Sequence, residues 1–95
     1  MKLADLFAII ETRKVELLEG SYTAKLLSKG EDEVLKKVGE ETMEVILAAK
    51  GQGDQRLVEK IADLFYHVLV LLAARGLNLD DVEGELEQRH RGDGS

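Results

Sequence analysis

The sequence has no cysteine, which excludes disulfides and thiolate metal sites and leaves oxygen or imidazole groups as the available metal ligands. Any bound metal is therefore expected to be hard. Proline is also absent and aromatics are scarce, with two Tyr, two Phe and no Trp. In a chain rich in Leu, Ala, Glu and Lys, these shortages point to helices and leave no segment that reads as a strand. Long apolar runs are missing: the longest, Val68 to Ala74, stops at Arg75, far short of the roughly 18–20 residues needed to cross a bilayer. The opening MKLADLFAIIETRK carries Asp5 and Glu11 and lacks the charged, apolar and small-residue order of a signal peptide, so the cytoplasm is the expected compartment. Basic charge is in deficit, 13 Lys and Arg against 19 Asp and Glu, for a formal net charge of −6. Such a balance argues against nucleic-acid binding, which draws mainly on clustered cations. Phosphates remain accessible to an acidic protein if a divalent cation stands between.

What is present suits a soluble globular domain: 44% hydrophobic and 34% charged residues in a chain of 95. One domain is expected over residues 1–91, followed by a disordered tail, 92–95. A domain of this size buries only about 60–65% of its unfolded surface, so a partner subunit would help it. Leu3, Leu6, Phe7, Ile10, Lys14, Leu17 and Leu18 fall at helical spacing, predicting a first helix from about residue 2 to Leu18, ended by Gly20. Lys14 is the one polar member of that stripe. The segment GSYTAKLLSKG reads as a structured loop, with Thr23 able to cap a turn or two. A second long helix starts in the acidic cluster Glu31, Asp32, Glu33 and runs to about Lys50. Gly39 inside it costs roughly 1 kcal/mol against alanine, which suggests close approach by a neighbouring helix or a ligand. After GQGDQ, Leu57 through Ala74 is apolar enough on all sides to be central. Asn78 caps a last helix, about Leu79 to His90, with Leu79, Val82 and Leu86 as its expected buried edge.

Val34, Val38, Glu41, Val45 and Ala48 follow one another at spacings of four and three, so Glu41 takes a slot inside an apolar stripe, with Glu44 beside it. A carboxylate there loses hydration and requires a hydrogen-bonding partner, a counter-charge or a metal. The short GQGDQ connection makes the two long helices antiparallel neighbours. At a rise of about 1.5 Å per residue, Glu44 lies about 9 Å below the turn and residue 60 about 8 Å, Glu41 about 13 Å and Asp63 about 12 Å. Two i,i+3 pairs on facing helices would form a four-cornered site suited to an oxygen-ligated divalent cation such as Mg²⁺. Glutamates on helices are usually solvated; the apolar stripe and the matched height of Asp63 weigh against that reading here.

The stretches GSYTAKLL, LKKVGEETMEVILAAK and ADLFYHVLVLLAARGLNLDDV, with the later Arg89 and His90, closely resemble the phosphoribosyl-ATP pyrophosphohydrolase family. The match runs from Leu3 to His90. The family falls in the all-α MazG-like nucleoside triphosphate pyrophosphohydrolase superfamily, whose signature is EExxE on one helix and ExxD on the next. The resemblance implies an all-α helical bundle with antiparallel central helices, completed by dimerisation. It also implies Mg²⁺-dependent hydrolysis of the α–β phosphoanhydride of 1-(5-phosphoribosyl)-ATP to phosphoribosyl-AMP and pyrophosphate, the second step of histidine biosynthesis. By position, Glu41, Glu44 and Asp63 would be metal ligands, and Glu40 would support them or orient the attacking water. One position departs from the pattern: in LVEKIAD the residue three before Asp63 is Lys60, which cannot ligate Mg²⁺ and competes for the same carboxylates. Glu59 is rotated about 100° from the expected slot and is at best a partial substitute.

Lys25, Lys36 and Lys37, with Lys29, are candidates for holding phosphates at the mouth of such a site, and Ser21, Tyr22 and Thr23 for phosphate or ribose contact. Their alternative is a solvated helix surface and a simple turn. His67, four residues after Asp63, reads more readily as a core or interface histidine with one hydrogen bond than as a metal ligand. The apolar helix through Ile61 to Ala74 has more surface than so short a chain can cover, which implies a homodimer. Two other functions remain open: a house-cleaning pyrophosphohydrolase acting on a free nucleotide such as dUTP, and a non-catalytic helical dimer that binds a nucleotide or a partner protein.

Overall fold

The computed structural model describes residues 1–91, and the expected tail 92–95 lies outside the described residues. Five α-helices follow in order, α1 (Leu3–Glu16), α2 (Tyr22–Lys29), α3 (Glu31–Gly51), α4 (Asp54–Ala74) and α5 (Leu79–His90), and no strand occurs among the described residues. The chain is all-α, as the sequence predicts.

The backbone N–H of Lys2 donates to Asp5 Oδ2 (3.0 Å), satisfying one of the free donors at the start of α1. The helix stops two residues short of the expected Leu18, because Leu17 adopts the left-handed conformation (φ 49°, ψ 47°) and its N–H closes onto the Arg13 carbonyl at 2.8 Å. Leu17 and Leu18 therefore leave the buried stripe and stand exposed. Lys14 keeps its place: its Nζ donates to the Ala73 carbonyl (2.6 Å), tying α1 to the C-terminal end of α4, where a cation is favoured.

The segment expected to be a loop is a helix of 8 residues, α2. Its cap is Ser21, whose Oγ accepts from the Ala24 N–H (3.1 Å), and not Thr23, which lies inside the first turn. Eight residues are too few to hold a helix in water by propensity alone. Buried Ala24 and Leu26, packed within the bundle, supply the missing stability.

Helix α3 matches its expected span, with Glu31, Asp32 and Glu33 in the first turn complementing the helix dipole. A Cβ built at Gly39 meets nothing within 4 Å, so of the two expected close approaches, by a neighbouring helix or by a ligand, no helix of this chain supplies the first. Helix α4 starts three residues earlier than expected, at Asp54, because the positive φ of Gly53 (89°) completes the turn and Asp54 occupies the favourable first turn. The short turn leaves α3 and α4 antiparallel, and theirs is the most extensive helix pairing in the molecule; α4 also packs on α1 and α2. It is central, but not covered on every side: Val58, Phe65 and Val68 are exposed.

Asn78 and Asp81 cap α5 reciprocally (2.9 and 3.2 Å). Its expected buried edge is not buried within the chain. Only Leu79 packs on the core, whereas Val82 and Leu86 are exposed. The core joins Phe7 and Ile10 of α1, Leu26 of α2, Val34 of α3 and Leu69, Val70 and Ala73 of α4, which places it toward the start of α3 and the end of α4. The carboxylates lie farther along α3. No helix among the described residues is long and apolar enough to cross a membrane.

Candidate active site

Glu41 occupies its slot in the α3 stripe and is 8% exposed, between buried Val34 and Ala48. Its Oε1 lies 3.9 Å from His67 Nδ1, and its Oε2 is buried without a hydrogen-bond partner. A buried carboxylate oxygen left unpaired is costly, so a cation reaching Oε2 would relieve it. One turn along, Glu44 Oε1 meets Lys60 Nζ at 2.5 Å, and Lys60 Nζ lies 3.7 Å from Asp63 Oδ2. The level match between Glu44 and residue 60 is borne out.

That between Glu41 and Asp63 is not realised by their side chains. Asp63 is half exposed and directed to Lys60, and the side chain of α4 that meets Glu41 is His67. Side chains lean toward the N-terminus of their helix, so the imidazole of His67 falls back to the level of Asp63, where its Nδ1 bonds the Asp63 carbonyl at 2.8 Å. Among the described residues no three acidic or imidazole side chains close round one point that could hold a metal. The Lys60 ammonium lies between Glu44 and Asp63. The donors fit a hard cation in kind, being carboxylate oxygens with one unsatisfied.

Of two further expected participants, Glu59 stands aside and Glu40 sits at the rim. Glu59 takes bonds from Arg56 (3.1 Å) and Gln55 (3.3 Å) on the exposed side of α4, which hold its carboxyl below the usual range; it does not reach the cluster. Glu40 is exposed and lies 3.6 Å from Lys37 Nζ, beside the cluster and not in it. The hydrogen bond from Lys60 holds the Glu44 carboxyl below the carboxylate range and raises the Lys60 ammonium above its own.

The α2 side of the site is built from hydroxyls used within the protein. Because His67 Nδ1 faces a carbonyl it carries the proton, so Nε2 accepts from the Tyr22 hydroxyl (3.0 Å). Thr23 Oγ1 is hydrogen-bonded to the Tyr66 hydroxyl. The Tyr66 and His67 rings meet edge to face with centroids 4.9 Å apart, and Tyr22 lies 5.9 Å from His67. Ser21 caps α2, so the three residues expected to offer free hydroxyls are committed to holding α2 on α4. His67 has two hydrogen bonds, not one. Neither its partner Tyr22 nor the Thr23–Tyr66 pair is readable from spacing, since they join residues 43 or 45 positions apart.

Tyr22 also borders a cleft lined by Lys25, Leu26, Lys29, Glu33 and Lys37. Burial pushes the Tyr22 phenol above its ordinary value against the opposing field of Lys37, and the Lys37 ammonium is raised chiefly by Tyr22, then by Glu40 and Glu41. Three lysines thus share one opening a single hydrogen bond from His67. Lys36 is exposed outside it.

A buried, partly unsatisfied carboxylate next to a lysine-lined cleft is an arrangement for polyphosphate. The family profile for phosphoribosyl-ATP pyrophosphohydrolase matches residues 3–90. A phosphoribosyl-ATP pyrophosphatase of Clostridium botulinum is 54% identical over 84 residues, covering 88% of this chain and 76% of the relative. Those of Listeria welshimeri and Lactiplantibacillus plantarum are 54% and 51% identical over 87 residues, covering 92% of this chain and 84% and 82% of theirs. The chain belongs to the phosphoribosyl-ATP pyrophosphohydrolase family.

Proposed function

We infer that this protein hydrolyses the α–β phosphoanhydride of 1-(5-phosphoribosyl)-ATP, giving phosphoribosyl-AMP and pyrophosphate, the second step of histidine biosynthesis. Family membership supports the reaction, and the observation that carries the site is Glu41: a carboxylate nine-tenths buried, one oxygen unpaired, beside a cleft of lysines. Phosphoryl chemistry of this kind is mostly positioning and charge neutralisation. Mg²⁺, when bound, supplies neutralising charge for the phosphoanhydride oxygens. Glu41 Oε2 and the oxygens of Glu44 and Asp63 that Lys60 leaves free are the residues that would hold it. Lys25, Lys29 and Lys37 bind the remaining phosphate oxygens. Glu40, beside Lys37 at the rim, orients the attacking water and takes its proton as the water oxygen bonds to phosphorus and the α–β P–O bond breaks, releasing pyrophosphate. Tyr22 and Thr23 act indirectly, by fixing α2 on α4 so that the cleft stays open to the carboxylates.

The protein works as a homodimer in this reading. Leu35, Met43 and Ile46 form an exposed stripe on α3 at i, i+8 and i+11, with bare Gly39 in its middle; α4 adds Val58, Phe65 and Val68. A second subunit would cover these residues and approach Gly39 closely. The cytoplasm is the compartment such a biosynthetic step requires.

Rates on phosphoribosyl-ATP, dUTP and ATP, measured side by side with the purified protein, test the substrate. Preference for phosphoribosyl-ATP by 100-fold or more is expected. Faster hydrolysis of dUTP would favour a house-cleaning role, and no hydrolysis of any of them would favour a nucleotide or partner binder.

A further inference from the structure

Two of the three carboxylates in the site are already held by a cation belonging to the chain. Lys60 Nζ lies 2.5 Å from Glu44 Oε1 and 3.7 Å from Asp63 Oδ2, and its side chain is only 14% exposed. The aliphatic stem of Lys60 is covered, and its ammonium rests against these two partly exposed carboxylates, which take the place of part of its hydration. One turn away, Glu41 Oε2 is buried and has no partner. Two of the three carboxylates are therefore paired and the third has an unsatisfied oxygen.

We propose that Lys60 is a built-in cation that takes the place of one divalent ion between Glu44 and Asp63, leaving room for a single metal ion, at Glu41. The inference rests on the carboxylate site being the metal site of the proposed reaction. Charge supports it. Three carboxylates carry three negative charges, and one ammonium with one divalent ion balances them. Clusters of carboxylates that serve phosphoryl transfer commonly hold two metal ions about 3.5–4 Å apart. Here a second divalent ion would have to displace or crowd the ammonium, whose repulsion in a partly buried site is several-fold stronger than in water. Unlike a metal, the Lys60 charge cannot dissociate or be chelated, so one of the three charges needed to neutralise the cluster is permanent.

The test is a count of bound Mn²⁺, a paramagnetic stand-in for Mg²⁺, by the electron paramagnetic resonance signal of the free ion during titration of the full chain without substrate. Wild type is expected to bind one equivalent per protomer, Lys60→Met two and Lys60→Arg one. Lys60→Gln serves as the second neutral variant should Lys60→Met fail to fold. In EDTA the neutral variant should melt at a lower temperature than wild type and recover on addition of Mg²⁺; a merely structural ion pair would give the first effect without a second equivalent of metal. Two equivalents in wild type, none in wild type, or one in both wild type and the folded neutral variant would overturn the proposal. The count is independent of turnover. One bound ion without hydrolysis would overturn the proposed activity and leave the role of Lys60 standing, and two bound ions with hydrolysis would do the reverse.

Discussion

At the residue scale, Glu41 and Lys60 dominate the site, and the sequence made both conspicuous: a glutamate in an apolar stripe, and a lysine opposite Glu44 one turn before Asp63. Glu41→Gln keeps the size but removes the charge, and is expected to lower pyrophosphate release by about 10²–10³-fold, in line with loss of one electrostatic contact in a phosphoryl- or acyl-transfer site. Thermal stability should fall little or rise, because the buried charge it removes has an unpaired oxygen. The Glu44–Lys60 pair has a pH signature. The Glu44 carboxyl is held below its ordinary value of 4.5, so its contribution to stability is present above that value and is lost as the pH falls through the lowered one. Melting temperatures of wild type and Glu44→Gln should therefore converge as the pH falls well below 4.5 and separate at neutral pH; equal separation throughout would show that the pair contributes nothing in this way. Tyr22 and Tyr66 have phenols pushed above 10.0, mainly by burial, and a raised value means that stability is lost as the pH rises past the ordinary one. Absorbance at 295 nm should show both titrating late in the folded protein and at ordinary values once unfolded. What was not legible at this scale was the company these residues keep: that His67 and not Asp63 meets Glu41, that Asp63 turns to Lys60, and that the hydroxyls of Tyr22 and Thr23 are spent on His67 and Tyr66. Side-chain direction and contacts between distant positions decide those points, and neither is written in local spacing.

At the element scale, the four long helices follow from glycines, acidic first turns and apolar periodicity, and their observed ends differ from expectation by no more than a few residues. The exception is α2, which intrinsic propensity cannot support at its length. It exists because Ala24 and Leu26 pack into the bundle and Ser21 caps it, a tertiary effect. Ser21→Ala should cost about 1 kcal/mol of unfolding free energy in urea, the usual loss for a capping hydroxyl. It should also weaken substrate binding, since α2 carries Lys25 and Lys29; an effect on stability alone would mean the lysine cleft lies off the substrate path. The end of α1 offers the opposite opportunity. Leu17 is exposed and in a left-handed conformation that an ordinary residue occupies at a cost of about 1–2 kcal/mol. Leu17→Gly should therefore stabilise the protein by about 0.5–1 kcal/mol after the added freedom of the unfolded chain is subtracted.

At the scale of the whole molecule, the surface does not look finished. Val58, Phe65 and Val68 on the central helix, Leu35, Met43, Ile46 and Leu47 on its partner and Leu77, Val82 and Leu86 toward the C-terminus are all exposed. The sequence had implied as much, since one small domain cannot cover so apolar a helix, but it placed Val82 and Leu86 inside the chain, where the structure does not. Sedimentation velocity should give a dimer, and Met43→Glu, which puts a charge in the α3 stripe, should shift it toward monomer; a monomeric wild type would leave these faces without the occupant proposed for them.

The central claim is that the carboxylates of α3 and α4 work with a divalent cation on phosphoribosyl-ATP. The most direct measurement is pyrophosphate release from phosphoribosyl-ATP by wild type and Glu41→Gln across a Mg²⁺ titration. The account expects saturable, Mg²⁺-dependent release by wild type, abolished by EDTA and reduced at least about 100-fold at every Mg²⁺ concentration in Glu41→Gln. Release that persists in EDTA, or that is the same in both proteins, would contradict it.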